Sequence, residues 1–181
     1  MNLPELDYDC FGDKKKVSVF IEYWASHYSY NLESIYDKNI GKKLTSERLL
    51  HLFEWKNGGV ISKTKIASIQ DNYISNTKFN IEELKTKYLN AENPGGPIWN
   101  IFYLHCVDPK IFPIFDQHTY RSMLYIKELT IKEIPKTKIE IYKVYNEEYM
   151  PFYKSFEYEG RKTDKALFTY GQYLKAIKKF V

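Results

Sequence analysis

Cysteine is close to missing. Two of them in 181 residues, Cys10 and Cys106, cannot build a disulfide framework or a four-thiolate metal cluster. Histidine is nearly as scarce: the four present are scattered without metal-ligand spacing, so neither a metal nor a cofactor is expected. No apolar run approaches the roughly 20 residues needed to cross a bilayer. The opening MNLPELDYDCF lacks the basic-then-apolar order of a signal peptide. Both absences lead to the expectation of a cytoplasmic protein with no membrane partner. Internal repeats and low-complexity linkers are also missing, and the length suits a single domain, 1–181, with enough chain to bury a core.

Positive charge is absent from the first thirteen residues. Residues 1–13 hold Glu5, Asp7, Asp9 and Asp13 with no lysine or arginine, an acidic segment of charge −4; the chain's +4 therefore leaves +8 on the remainder. The stretch 161–181 contributes Arg161, Lys162, Lys165, Lys175, Lys178 and Lys179 against Asp164. A basic body favours a polyanionic partner, nucleic acid foremost, although lysines that serve only solubility give the same count. What the chain has in abundance is tyrosine, 17 of them. A broad ring with a polar tip suits half-buried surfaces, and it suits stacking on bases as well.

The periodicity predicts an all-α protein. Residues 14–30 read as a helix after Gly12-Asp13, with enough β-branched residues to admit a strand. A helix over 45–57 is capped by Thr45 or Ser46 and stops at Gly58-Gly59, a short segment covers 64–72, and Asn80 caps a helix over 80–90. Pro97 fits a first helical position, where its missing N–H costs nothing. That helix runs to about Cys106 and is broken by Asp108-Pro109. A further helix over 117–128 follows Asp116. Tyr142, Tyr145, Tyr149 and Tyr153 form a helical stripe at spacings of 3, 4 and 4, interrupted by Pro151, and 161–180 closes the chain as an amphipathic helix.

Two stretches carry chemistry. In IFPIFDQHTYR, residues 111–121, Asp116 stands between an apolar wall and a polar helix start. A carboxylate there accepts backbone N–H bonds and is kept ionised by the positive helix end, while the wall lowers the effective dielectric around it. Such a charge can stabilise a developing cation or orient a water molecule; it can equally be a cap and nothing more. In ENPGGP, residues 92–97, Gly95 and Gly96 allow backbone amides to approach another surface, and the helix N-terminus beyond them attracts phosphate. A plain helix-to-helix turn has the same composition.

Together these stretches, NPGGPIWNIFYLHCVDPKIFPIFDQHTYR, resemble the helix-hairpin-helix core of the DNA glycosylase superfamily that includes endonuclease III and 8-oxoguanine glycosylase. There a Gly-rich hairpin, typically LPGVGxxTA, precedes an apolar helix and an extended stretch ending in VDTHVxR, whose Asp is the catalytic carboxylate. Gly95 and Gly96 match hairpin glycines, and Asp116, His118 and Arg121 fall in register with the second motif. With FEWKNGG (53–59) and RKTDKALFTYGQYLK (161–175), the chain looks like compact bacterial proteins of the 8-oxoguanine-glycosylase fold. The matching part spans about 93–123. The hairpin lysine that forms a Schiff base in bifunctional members is absent, its neighbourhood reading Pro97, Ile98, Trp99, and so is the four-cysteine iron–sulfur loop.

The resemblance implies a two-lobed all-α bundle with a helix-hairpin-helix-like core at 93–128. It implies a monofunctional DNA glycosylase that acts as a monomer on double-stranded DNA, flips out a damaged or modified base and hydrolyses its N-glycosidic bond without a cofactor. Asp116 would be the catalytic residue. Gly95, Gly96, His118, Arg121 and Lys56 would contact DNA, and Trp55, Trp99, Phe115, Asp164 and Tyr170 would line the base pocket. Each has a quieter explanation: a structural hydrogen bond for His118, ordinary core packing for the aromatics, a helix-end role for Lys56, and an Arg161–Asp164 pair across one helical turn. The base could be an oxidised purine or a modified base of phage DNA. A non-catalytic helix-hairpin-helix module that recognises modified or irregular DNA is the alternative. A Tyr-rich protein-interaction domain is a third reading, and it predicts no salt-dependent DNA affinity.

Overall fold

Among the described residues, six of the helices begin where a short polar side chain bonds the first unpaired N–H groups. In the computed structural model, which describes residues 3–74, 80–156 and 160–177, Asp13 does this for α1 (Lys14–Ser26). Leu32 precedes α2 (Glu33–Asn39) without a side-chain cap. Thr45 caps α3 (Ser46–Asn57) and Ser62 caps α4 (Lys63–Ile69). Asn80 caps α5 (Ile81–Tyr88) in a reciprocal box with Glu83. Gly96 and Pro97 open α6 (Pro97–Val107), and Asp116 caps α7 (Gln117–Glu128) in a box with Thr119. Thr137 and Glu140 do the same for α8 (Lys138–Lys143). Then come α9 (Met150–Lys154) and α10 (Arg161–Ile177). Each such cap stabilises its helix by about 1 kcal/mol. Among the described residues the fold is all-α, with no strand, and no helix is long and apolar enough to cross a membrane.

Several element ends differ from the sequence expectation. The helix predicted over 14–30 stops at Ser26, and the one predicted over 80–90 at Tyr88. The segment at 64–72 becomes α4 followed by a π-helical turn, Gln70–Ile74. Pro151 does not interrupt the tyrosine stripe: a π-helical turn, Val144–Tyr149, joins α8 directly to α9. The wider i→i+5 register changes which carbonyls face the proline, the defect its ring and missing N–H would otherwise cause. The final helix is described through Ile177, and residues 178–180, with Lys178 and Lys179, lie outside the described residues.

The chain divides into two compact units. One joins the residues up to Tyr28 with those from Pro113 onward; the other is Ser29–Phe112. In the first unit α10 packs on both α1 and α7, burying Phe20, Trp24, Met123, Leu167, Tyr170 and Leu174. The acidic segment folds here too, as a short 3-10 turn, Tyr8–Gly12, whose Phe11 ring meets Phe152 and Phe156 edge-on. The tyrosine stripe has a specific job. Tyr145 Oη donates to the Pro113 carbonyl at 3.2 Å and Tyr149 Oη to the Ile114 carbonyl at 2.9 Å. These bonds satisfy the backbone of the extended stretch that delivers Asp116 to α7.

The second unit is built on aromatic packing of α3, α5 and α6 with the π-turn after α4. Phe53, Tyr73, Tyr88, Phe102 and Tyr103 form its centre. Burial pushes the Tyr103 hydroxyl up to about 12, with the nearby Cys106 thiol acting in the same direction. His105, also buried, bonds the Phe112 carbonyl through Nδ1 and Tyr36 Oη through Nε2, both at 2.7 Å.

Candidate functional site

Asp116 is half-buried at the start of α7 and follows the buried residues Pro113, Ile114 and Phe115 in the chain. Its Oδ1 accepts from the backbone N–H of His118 at 2.9 Å and of Thr119 at 3.1 Å. Its own N–H donates to Thr119 Oγ1 at 2.9 Å. The carboxylate is thus held in one orientation by backbone groups and lies against the positive end of a twelve-residue helix. Neither Thr119 nor the tyrosine tethers upstream were visible as site residues in the sequence; the box pattern at 116–119 was the signal for the first.

His118 and Arg121 share this end of α7 but do different work. Arg121 is 1% exposed. Its Nη1 donates to the Gly171 carbonyl of α10 at 2.9 Å and lies 3.2 Å from His118 Nδ1. A guanidinium can only donate, so this contact is a hydrogen bond in the tautomer that leaves Nδ1 unprotonated. Nη2 reaches Glu133 at 3.5 Å. The phosphate contact expected of Arg121 is therefore replaced by an internal brace between α7 and α10. Burial lowers the pKa of His118, with the cations of Arg121 and Lys175 pushing the same way and Asp116 and the Gly171 carbonyl opposing.

The brace works because Gly171 has no side chain. A Cβ there would lie 2.0 Å from the His118 carbonyl oxygen, so α7 and α10 touch backbone to backbone. Next to it on α10, Phe168 meets the His118 ring edge-on at 4.8 Å and the Tyr28 ring at 5.8 Å. Gly171, Phe168 and Tyr28 were not foreseen. A glycine inside an otherwise good helix costs about 1 kcal/mol, and that cost was the available signal for a close approach.

The residues expected to line a base pocket are placed variously. In the first unit, Phe115 is buried against Tyr120, Tyr145 and Tyr149. Tyr170 is 0% exposed, packed on Phe20 and Trp24, and its hydroxyl has no hydrogen-bond partner among the described residues. Asp164 is buried too, near enough to Tyr145 and Tyr149 to raise both phenol pKa values beyond the effect of their burial. Arg161, the suggested partner of Asp164, donates to Tyr28 Oη at 2.9 Å. In the second unit, Trp55 is buried among Tyr30, Tyr36 and Phe102. Stacking on a flipped base is thus not what Phe115, Tyr170 and Trp55 do in this structure; each ring is covered by its neighbours. Trp99 retains surface, with Lys65 Nζ 5.4 Å above its ring, and Lys56 Nζ sits 5.7 Å from the Phe102 ring.

The glycine-rich loop belongs to the second unit, between α5 and α6. Gly95 has φ +90°, and a Cβ on it would meet Tyr73 Oη at 2.7 Å and Asn100 Oδ1 at 2.9 Å. Tyr73 donates to Asn100 at 2.6 Å, and Asn100 Nδ2 donates to the Pro94 carbonyl at 3.3 Å. Gly95 is therefore required by internal packing. Gly96 starts α6 with open space beside its Cα. A shallow apolar hollow of about 120 Å³, lined by Leu50, Glu54, Val60, Ile61 and Ile66, lies elsewhere on this unit and holds none of the expected site residues. Among the described residues no group of three or more His, Cys, Asp or Glu is arranged to hold a metal ion.

Compared with protein-family models, curated proteins and solved structures, the chain matches none.

Proposed function

We propose that this protein is a monofunctional DNA glycosylase of the helix-hairpin-helix type, excising a damaged or modified base from duplex DNA with Asp116 as its catalytic carboxylate. One observation supports it above the others: Asp116 is half-buried and oriented by two backbone N–H groups at a helix start. Flipping the base costs a few kcal/mol, least for a lesion or mismatch. As the glycosidic C–N bond breaks, its electron pair leaves with the base and positive charge develops on the sugar. The carboxylate stabilises that charge and orients a water, whose hydroxyl joins the sugar and whose proton goes to the departing base. With no lysine at Pro97, Ile98 or Trp99, the reaction ends at an abasic site. Gly96 and the open start of α6 are assigned to a backbone phosphate. Arg121 becomes a positioning residue that seats the Asp116 end of α7 on α10 through Gly171.

A second reading, a non-catalytic DNA-binding module, draws support from the capping box, which accounts for Asp116 without any chemistry. Labelled duplexes carrying a panel of oxidised, alkylated and deaminated bases, treated with protein and then hot alkali, separate the two. Strand breaks that disappear in Asp116→Asn and persist in the surface control Lys143→Gln support the enzyme. Binding without breaks on every substrate supports the module.

A further inference from the structure

We infer that the outward face of α10 is the surface along which the DNA strand lies, a stripe of cations and one aromatic ring running past the Asp116 end of α7. This rests on the DNA reading above and adds where the strand is held. Arg161, Lys165, Phe168, Gln172 and Lys175 follow one another at intervals of 4, 3, 4 and 3, which puts them on a single helical face. All five keep solvent exposure, whereas Ala166, Leu167, Tyr170, Gly171 and Leu174 on the other side are buried. From Arg161 to Lys175 the stripe is about 21 Å long at 1.5 Å per residue, close to six base-pair rises of 3.4 Å.

The placement of the charges favours a strand over other anionic partners. Lys162, one step around the helix, pairs with Glu22 of α1, and Asp164 is buried on the opposite side from the stripe. Tyr28 organises one end: Arg161 bonds its hydroxyl, and Arg161 and Lys165 both lie 5.2 Å from its ring centroid. Side chains held this way lose less freedom when a ligand arrives. At the middle, Phe168 touches His118 and Gly171 touches the His118 backbone, which brings the stripe beside the carboxylate. A membrane surface fits less well, because an interfacial helix inserts its apolar face and here that face is consumed by α1 and α7.

The test is fluorescence anisotropy of the full chain with a fluorescent duplex of roughly 20 base pairs over a salt series. Lys165→Gln/Lys175→Gln is compared with wild type, with Asp116→Asn, and with the control pair Lys143→Gln/Lys154→Gln, after melting curves establish that all are folded. The stripe variant should bind about tenfold more weakly or worse, with the slope of log K against log salt reduced by about 2, near 0.9 per lost phosphate contact. The control and Asp116→Asn should keep the wild-type slope. A stripe variant with wild-type affinity and slope overturns the placement while leaving the glycosylase reading intact. A wild type with no salt-dependent affinity overturns both. Base excision that survives in Asp116→Asn removes the catalytic assignment but supports the placement if the stripe variant still loses binding.

Discussion

At Asp116 one carboxylate serves as a helix cap and, on the proposal, as a catalyst, and substitution separates the two. Asparagine caps as well as aspartate but carries no charge; alanine does neither. Asp116→Ala should lower stability by about 1 kcal/mol in thermal or urea unfolding, and Asp116→Asn by only a few tenths. Equal losses in both would mean that the charge, not the cap, stabilises the fold. His118 gives a pH prediction. Its folded pKa is depressed, chiefly by burial, so its contribution to stability is complete above the ordinary imidazole pKa of about 6.5 and is lost as pH falls from there through the lower folded pKa. The melting temperature should drop more steeply from pH 7.5 to 5.5 in wild type than in His118→Gln; parallel profiles would contradict the assignment. The buried hydroxyl of Tyr170, with no partner among the described residues, predicts that Tyr170→Phe is neutral or stabilises by about 1 kcal/mol and leaves base excision unchanged. At this scale the cap at Asp116 was readable because capping depends on adjacent residues. The burial of Arg121 was not, since arginine is almost never fully buried without a partner and its partner here, the Gly171 carbonyl, is fifty residues away along the chain.

Among the elements, α7 and α10 decide whether a site exists. Their backbones meet at Gly171, where an added methyl group would overlap the His118 carbonyl. Gly171→Ala should therefore destabilise by about 1–3 kcal/mol, as overpacking does, although alanine is the better helix former by about 1 kcal/mol. Chemical denaturation measures this directly, and a stabilised variant would show that the two helices do not touch as described. Most helix starts were readable for the reason Asp116 was: Thr45, Asn80, Pro97 and Asp116 all stand where the sequence placed them. The π-turn before Pro151 was hidden, because the local rule that proline ends a helix was overridden by burial of Tyr145, Tyr149 and Tyr153 on one side. That override also explains the abundance of tyrosine in this region: rings fill the core while their hydroxyls bond the carbonyls of Pro113 and Ile114.

Across the molecule, the excess of positive charge outside residues 1–13 was visible from the start, but its arrangement as a stripe on α10 emerged only once the buried face of that helix was known. The all-α class followed from periodicity alone. The division into two compact units did not, because it depends on which distant segments pack together. The central claim is that a capped, half-buried carboxylate cleaves a glycosidic bond, and release of the free base measures it most directly. With protein in excess over a duplex carrying the lesion found active in the alkali assay, liberated base is quantified by mass spectrometry for wild type and Asp116→Asn. The account predicts release by the wild type and a rate at least about 100-fold lower in the variant, in line with loss of one preorganised electrostatic group, with duplex affinity preserved. Release at the same rate from both proteins, or none from the wild type on any lesion of the panel despite tight binding, would contradict it.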